Sequence, residues 1–265
     1  GKTILLITHK LREIMAVTDE VSVMRRGEMV ATRTTAETSV EELAELMVGR
    51  HVLLQVDKGP ASPGDVLLSV ENLSVRDSRG VDMVKNVSFN VRAGEIVGIA
   101  GVAGNGQSEL LQAISGIRRA ASGKVFLQGE PIHVTGLADP SELRHRGLAH
   151  VPEDRQHMGL VLKFDESENS ILGYHDDPKY LNGMFLNIDA IRKDAADKIE
   201  KYDIRPPNPR LKTANFSGGN QQKIVLAREM ERDPAVLVIG QPTRGVDVGA
   251  IEFIHKRIIE MRDAG

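Results

Sequence analysis

The stretch from Glu95 to Ser115 constrains the chain most. Glu95-Ile-Val-Gly-Ile-Ala100 is apolar on both faces of a strand, which predicts a central strand of a parallel sheet. It runs into Gly101-Val-Ala-Gly104-Asn105-Gly106-Gln107-Ser108, and Glu109 to Ser115 then reads as a helix. Glycines at the start of a helix let backbone N–H groups converge on an anion. The phosphate-loop pattern is G-x-x-x-x-G-K-[ST] between a strand and a helix, and every element is present except the Lys, replaced by Gln107. Gln107 can donate a hydrogen bond but carries no charge, so a bound phosphate loses its main side-chain cation. The candidate phosphate-holding residues are Gly101, Gly104, Asn105, Gly106, Gln107 and Ser108. Ser108 is also the candidate ligand for Mg²⁺, a weak one without its usual companions. The competing reading is a plain glycine-rich turn; the strand–loop–helix setting weighs against it.

Other segments point the same way. Residues 3–8 read as a short buried strand, Lys10 to Val17 as helix, Glu20 to Thr34 as a hairpin around Arg26-Gly27, and Val40 to Met47 as an amphipathic helix. Residues 55–65 combine Pro, Gly and charge and read as a linker between 1–54 and 66–265. Beyond it, strand-like Val66–Val75, Val84–Val91, Lys124–Leu127, Ile132–Val134, Gly147–Val151 and Val236–Ile239 alternate with helical patterns at Ala190–Tyr202, Asn220–Glu231 and Val248–Arg262. Such alternation predicts an α/β fold with a largely parallel sheet. The chain opens at Gly1-Lys2-Thr3 without Met and closes at Ala264-Gly265, so both ends read as cuts through a longer protein. With no Cys, thiolate metal sites and disulfides are excluded. A net charge of −3 and only 3% aromatic residues argue against a nucleic-acid partner. His145, His150 and His157 match no metal-ligand spacing and read as solvated or satisfied side chains.

A second constellation is Phe216-Ser217-Gly218-Gly219-Asn220-Gln221-Gln222-Lys223, small and polar residues at a helix start. Ser217 to Lys223 closely resembles the signature motif of ABC ATPases, in the form used by importers of simple sugars and nucleosides. Gln241-Pro-Thr-Arg-Gly-Val-Asp247-Val-Gly-Ala250 is similar to the segment these proteins carry after the Walker B strand. The resemblance covers roughly residues 66–265. It implies a P-loop NTPase (RecA-like) core with an antiparallel β portion and a helical subdomain at about 164–222, with ATP and Mg²⁺ as cofactors. In that family two cassettes pack head to tail, each ATP lying between one phosphate loop and the other cassette's signature. Ser217, Gly218 and Gly219, with Asn220 beside them, are then expected to reach a nucleotide held by the partner, and Asp247 in the segment after the Walker B strand is a further cofactor-binding candidate.

The chain's own site departs from the family pattern. The strand that normally ends in Asp-Glu ends in Gly240-Gln241, so the metal-holding acid is absent and Gln241 stands in the position of the catalytic Glu. Glu153 occupies a position usually held by Gln. No aromatic residue lies between Ser74 and Val87, where the family commonly stacks adenine. Together these losses imply very slow or absent hydrolysis at this site and weak or absent metal. Leu6-Ile-Thr-His9-Lys10 resembles the family's switch segment, and Met47-Val-Gly-Arg50 the junction between two cassettes, so residues 1–54 look like the tail of a first cassette whose switch residue is His9. The resemblance thus implies a tandem-cassette ATPase subunit on the cytoplasmic face of a membrane. Its implied partners are a first cassette in the same polypeptide, transmembrane permease subunits and, indirectly, an extracytoplasmic solute-binding protein. The loop at 101–108 looks more like the nucleoside-type importers than the ribose or galactose type. A soluble tandem-cassette ATPase acting on ribosomes or DNA is the alternative. Gly240 and Gln241 disfavour it, since such proteins keep acidic residues in both cassettes. A stand-alone phosphotransferase is disfavoured by the missing loop Lys and by a signature it would not use.

Overall fold

The structure, a computed structural model, describes residues 1–53, 56–132, 134–136 and 139–265. In chain order it contains α1 (Leu11–Val17), β1 (Glu20–Arg25), β2 (Glu28–Thr34), α2 (Val40–Val48), β3 (Val66–Arg76), β4 (Asp82–Arg92), α3 (Gln107–Ile114), β5 (Ser122–Leu127), β6 (Glu130–Ile132), α4 (Pro140–His145), β7 (Leu148–Val151), α5 (Glu166–Ser170), β8 (Leu181–Asn182), β9 (Phe185–Leu186), α6 (Ile188–Lys201), α7 (Gly218–Met230), β10 (Val236–Ile239) and α8 (Val248–Ala264). Residue 55, the first of the expected linker, and residue 133, inside the expected strand Ile132–Val134, lie outside the described residues. The chain forms two compact units, Gly1–Gly59 with Gly245–Glu260, and Pro60–Arg244 with Met261–Gly265.

In the first unit β1 and β2 pair antiparallel, Val21 opposite Arg33 and Val23 opposite Ala31. Arg26 and Gly27 both take positive φ, the left-handed pair that a two-residue hairpin turn requires. Val21 and Val23 point inward and meet Leu11 and Ile14 of α1 and Leu43 and Ala44 of α2 in one buried cluster, with Val248 packed against it. Ser39 caps α2 by accepting from the Glu42 N–H at 3.1 Å, a bond worth about 1 kcal/mol, and Gly49 ends the helix in the left-handed conformation. Arg50 pairs with Glu252 of α8 at 2.8 Å.

In the second unit four antiparallel strands form a sheet in the order β4-β3-β5-β6. Leu68, Val70, Leu73 and Val75 of β3 alternate into a core shared with Val84, Val125 and Leu127, and α3 contributes Leu110, Ala113 and Ile114 to it. The phosphate-loop helix is therefore anchored on the antiparallel sheet. A separate parallel pair joins β10 to β7, Val236 opposite Leu148 through Ile239 opposite Val151. The ladder continues one residue further, because the Gly240 N–H donates to the Val151 carbonyl at 2.9 Å. That register puts Glu153 and Gly240, which follow the two strands, side by side. Helices α5, α6 and α7 form the helical portion. Tyr180, Ile191 and Ile171 pack together there, and the buried Arg228–Glu229 pair on α7 is held at 2.8 Å.

Two expected strands are absent. Residues 95–100 and 3–8 have no strand hydrogen bonding, and Ile96, Val97 and Ile99 are 49, 39 and 53% exposed, Ile4 and Leu5 83 and 89%. An apolar run specifies a preference for burial but does not supply the neighbouring strand whose N–H and C=O groups make it a strand. The expectation of a largely parallel sheet is corrected accordingly: among the described residues the parallel portion is the β7–β10 pair.

Candidate nucleotide-binding site

The loop at 101–108 is shaped by glycine. Gly104 and Gly106 both take positive φ, and a Cβ on Gly106 would run into the Met83 carbonyl. Gly106 directly precedes the first turn of α3, so the helix begins without a side-chain cap and its first N–H groups face the loop. Asn105 N–H donates to the Val102 carbonyl at 3.2 Å, closing the turn. Gln107 folds back across the loop. Its Nε2 donates to the same carbonyl at 3.2 Å and lies where any side chain on Gly101 would have to go. The residue standing where a Lys would reach phosphate thus braces the loop from within.

Ser108 is turned the other way. Its hydroxyl donates to Glu153 Oε2 at 2.5 Å. Glu153 sits just past β7 and presses against Gly240, where a Cβ would collide with Glu153 Cγ and come within 3.0 Å of the Glu153 backbone nitrogen. Ser108, Glu153 and Gly240 therefore meet, though they lie far apart in sequence. A hydroxyl beside a carboxylate is an all-oxygen pair of the kind a hard divalent cation accepts, with phosphate oxygens completing the shell. The fit to Mg²⁺ is chemically sound. The adjacent acid is engaged elsewhere: the His157 backbone N–H and imidazole, the latter at 2.9 Å, hold the Asp154 carboxyl below its usual range. Gln241 follows Gly240 with φ of 44° and is exposed, its carbonyl accepting from the Arg244 N–H at 3.0 Å in a tight turn.

The signature segment is built differently. Ser217 caps α7, its hydroxyl accepting from the Asn220 side chain at 2.9 Å. Asn220 in turn accepts from the Arg205 N–H at 2.8 Å, Gly218 lies partly exposed on the first turn and Gly219 is buried. Gln221, two residues beyond Gly219, donates to the carbonyls of Thr213 and Phe216, both at 3.2 Å. Two residues absent from the sequence expectations tie the Glu153 segment to its surroundings, one to the signature helix and one to the segment after β10. Gln156 donates to Gln221 Oε1 at 3.0 Å, and Arg155 donates to the Arg244 carbonyl at 2.8 Å. Neither has a sequence signal, since each acts on a partner more than sixty positions away. Asp247 and His9 belong to the first compact unit. Asp247 caps α8, accepting from the Ala250 N–H at 2.9 Å, and His9 lies exposed before α1. Of the three histidines read as bland, His157 and His145 hydrogen-bond near the surface, to Asp154 and to the Ser141 carbonyl. His150 is a partial correction: its Nε2 is buried without a partner, and burial pushes its pKa down to about 4, so it stays neutral.

Comparison with known proteins points to a family. The sequence pattern described as ABC transporter matches residues 84–244. The chain is 45% identical over 265 residues to the nucleoside import ATP-binding protein NupA of Lactococcus lactis subsp. cremoris (strain MG1363), covering all of this chain and 52% of that protein. It is 46% identical over 266 residues to the guanosine import ATP-binding protein NupO of Bacillus subtilis (strain 168), covering all of this chain and 51% of that protein. The chain spans about half the length of the curated relatives it matches. Among solved structures, the dimeric post-hydrolysis state of the ATP-binding cassette MJ0796 bound to ADP and Pi superposes with a TM-score of 0.63 at 23% identity, over 75% of this chain and 84% of that one, a likeness of fold. The chain belongs to the ABC transporter family and has the fold of an ATP-binding cassette.

Proposed function

We propose that the chain is the larger part of the second cassette of a tandem importer ATPase, preceded by the tail of the first cassette at residues 1–54. The intact subunit couples ATP binding and hydrolysis to uptake of a nucleoside or simple sugar. It works on the cytoplasmic face of the membrane with permease subunits that receive solute from an extracytoplasmic binding protein. The relatives support this reading, since three that it matches are named for nucleoside, guanosine and glucose import. No helix among the described residues is long and apolar enough to cross a membrane.

Within that subunit the two nucleotide sites are unequal. This cassette holds nucleotide on the backbone N–H groups of Gly101 to Ser108 but does not drive water attack, because Gln241 lacks the charge to act as a base. Mg²⁺, when bound beside Ser108, supplies neutralisation of phosphate charge. Ser217, Gly218 and Gly219 complete the site of the first cassette, whose switch residue is His9. The observation that carries this asymmetry is the contrast between a signature helix capped by Ser217 and a phosphate loop whose Gln107 is spent on bracing the loop. In the intact protein with its permease, Ser217→Arg should abolish ATP turnover and solute uptake, whereas Gln107→Ala should leave most of both. Equal loss in the two variants would sink the assignment.

A further inference from the structure

The β8–β9 hairpin ends in exposed apolar side chains. Leu181 pairs with Leu186 and Asn182 with Phe185, and Gly183 takes a φ of 63° in the two-residue turn between the strands. Met184 and Phe185 are 94 and 76% exposed, Leu181, Leu186 and Ile188 are exposed as well, and no charged residue occurs from Tyr180 to Ile188. A contiguous apolar patch of this kind marks a contact surface more often than an isolated exposed Leu does. The base of the hairpin is fixed. The Asn187 N–H donates to the Tyr180 carbonyl at 2.8 Å, and the buried Tyr180 donates its hydroxyl to Asp194 of α6 at 2.7 Å. An apolar tip therefore stands anchored at the N-terminal end of α6.

The other end of α6 carries a recess. A cavity of about 250 Å³ lies there, lined by Ile199, Ile204, Pro207 and Pro209 with Glu200 and Asp203 beside them. Apolar lining with polar residues around it is the usual make-up of a protein-binding surface. Because α6 spans 14 residues, tip and cavity are separated by about 20 Å. A tip anchored at one end of the helix does not reach the cavity at the other. A second α6 running antiparallel brings each tip to the cavity of the other copy at once, the reciprocal contact of a two-fold dimer.

The face of α6 between tip and cavity fits the same arrangement. Asp189, Lys193, Ala196, Asp197 and Glu200 are exposed and recur at helical spacing along one stripe, away from the buried Ile191, Ala195 and Ile199. With the two-fold axis level with position 195, Lys193 of each copy faces Asp197 of the other, and Asp189 faces Lys201. Parallel pairing in register instead sets Asp189 against Asp189 and Lys193 against Lys193, like charges that oppose it. Ala196, small and near the axis, lets the two helices approach closely.

We propose that this face of the helical portion joins two copies of the chain, antiparallel along α6, so that the Met184–Phe185 tip of each fills the cavity at the end of the other's α6. The contact uses no residue of the loop at 101–108 or of the signature segment, so it stands or falls apart from the nucleotide-site reading.

The test is analytical ultracentrifugation of the full 265-residue chain without nucleotide. Wild-type protein should show a concentration-dependent monomer–dimer equilibrium, and Phe185→Asp should weaken it at least about tenfold. Lys193→Glu and Asp197→Lys should each weaken it alone, because each sets like charges across the axis. Mixed in equal amounts, these two variants should recover association, since every charged contact at 193 and 197 in the mixed pair then joins unlike charges. That recovery cannot arise within one helix. All three positions are exposed, and a thermal melt of each variant checks the fold; should Phe185→Asp not fold, Met184→Asp carries the same test. A wild-type chain that is monomeric throughout overturns the proposal, as does association that the tip variant leaves unchanged or a mixture no stronger than its components. A tip that seats in lipid overturns it too, seen as a monomer whose retention on phosphatidylcholine vesicles is lost in Phe185→Asp.

Discussion

The starts of α3 and α7 are both helix N-termini that follow glycine- and serine-bearing segments, yet they are finished in opposite ways. At α7 the chain supplies its own partners: Ser217 caps, Asn220 and Gln221 tie the preceding segment, and the buried Arg228–Glu229 pair fixes the helix to its surroundings, Arg228 reaching the Gly159 carbonyl at 2.8 Å. At α3 the cap position is Gly106, and the loop before it is exposed and without a cation. The first is pre-set by protein hydrogen bonds and fits a presenter of groups to another site. The second leaves its N–H groups to a ligand and depends on what the ligand brings to balance its charge.

Four substitutions can break or sharpen that contrast. The largest effect should come from Arg228→Ala, which leaves Glu229 buried at 1% exposure without its cation, held only by the Tyr174 hydroxyl at 2.6 Å, and should cost about 3 kcal/mol in urea unfolding. A loss under 1 kcal/mol would show that α7 is not held in this way. Next is the acid beneath the same region. Burial raises Glu166 from 4.5 to about 7, its Oε1 accepting from Ser170 at 2.7 Å. A raised pKa means that the folded state holds the proton longer than the unfolded one, so the stabilisation is complete below pH 4.5 and is lost as pH rises through about 7. Stability should fall by on the order of 2 kcal/mol between pH 5 and 8, and Glu166→Gln should flatten that slope. An unchanged slope would remove Glu166 as its cause. Gly106→Ala, which forces a side chain against the Met83 carbonyl at positive φ, should cost about 1–3 kcal/mol and weaken ATP binding while leaving α7 intact. Melting combined with ATP titration checks both. The smallest effect should be that of Gln156→Ala, about 1 kcal/mol, from the lost bond to Gln221. Its interest lies in a double-mutant cycle with Gln221→Ala, where strict additivity would deny the coupling between the Glu153 segment and the signature helix.

Much of the fold was legible because it is local. Val21 and Val23 around Arg26-Gly27 announce a hairpin, and Leu43 with Ser39 and Gly49 bounds α2, each within a few residues. The candidate site was legible as motifs: Gly101 to Ser108 and Ser217 to Asn220 do stand at the starts of α3 and α7. What was not legible is collective. The runs at 3–8 and 95–100 look like strands by composition, but a strand is defined by its neighbours, and none pairs with them among the described residues. The contact of Ser108 with Glu153 crosses 45 positions, and that of Gln156 with Gln221 crosses 65. Sequence distance hides such pairs, and Gly240 reads as a loss until its neighbour Glu153 is seen in the space it leaves.

The central claim is that this cassette binds nucleotide without consuming it, and the most direct measurement is a single-turnover assay on the 265-residue chain. With protein in excess over radiolabelled ATP and Mg²⁺ present, label should be retained on a filter as intact ATP, with phosphate release no faster than in buffer. Rapid release of phosphate that depends on Mg²⁺ and is abolished by Ser108→Ala would contradict it.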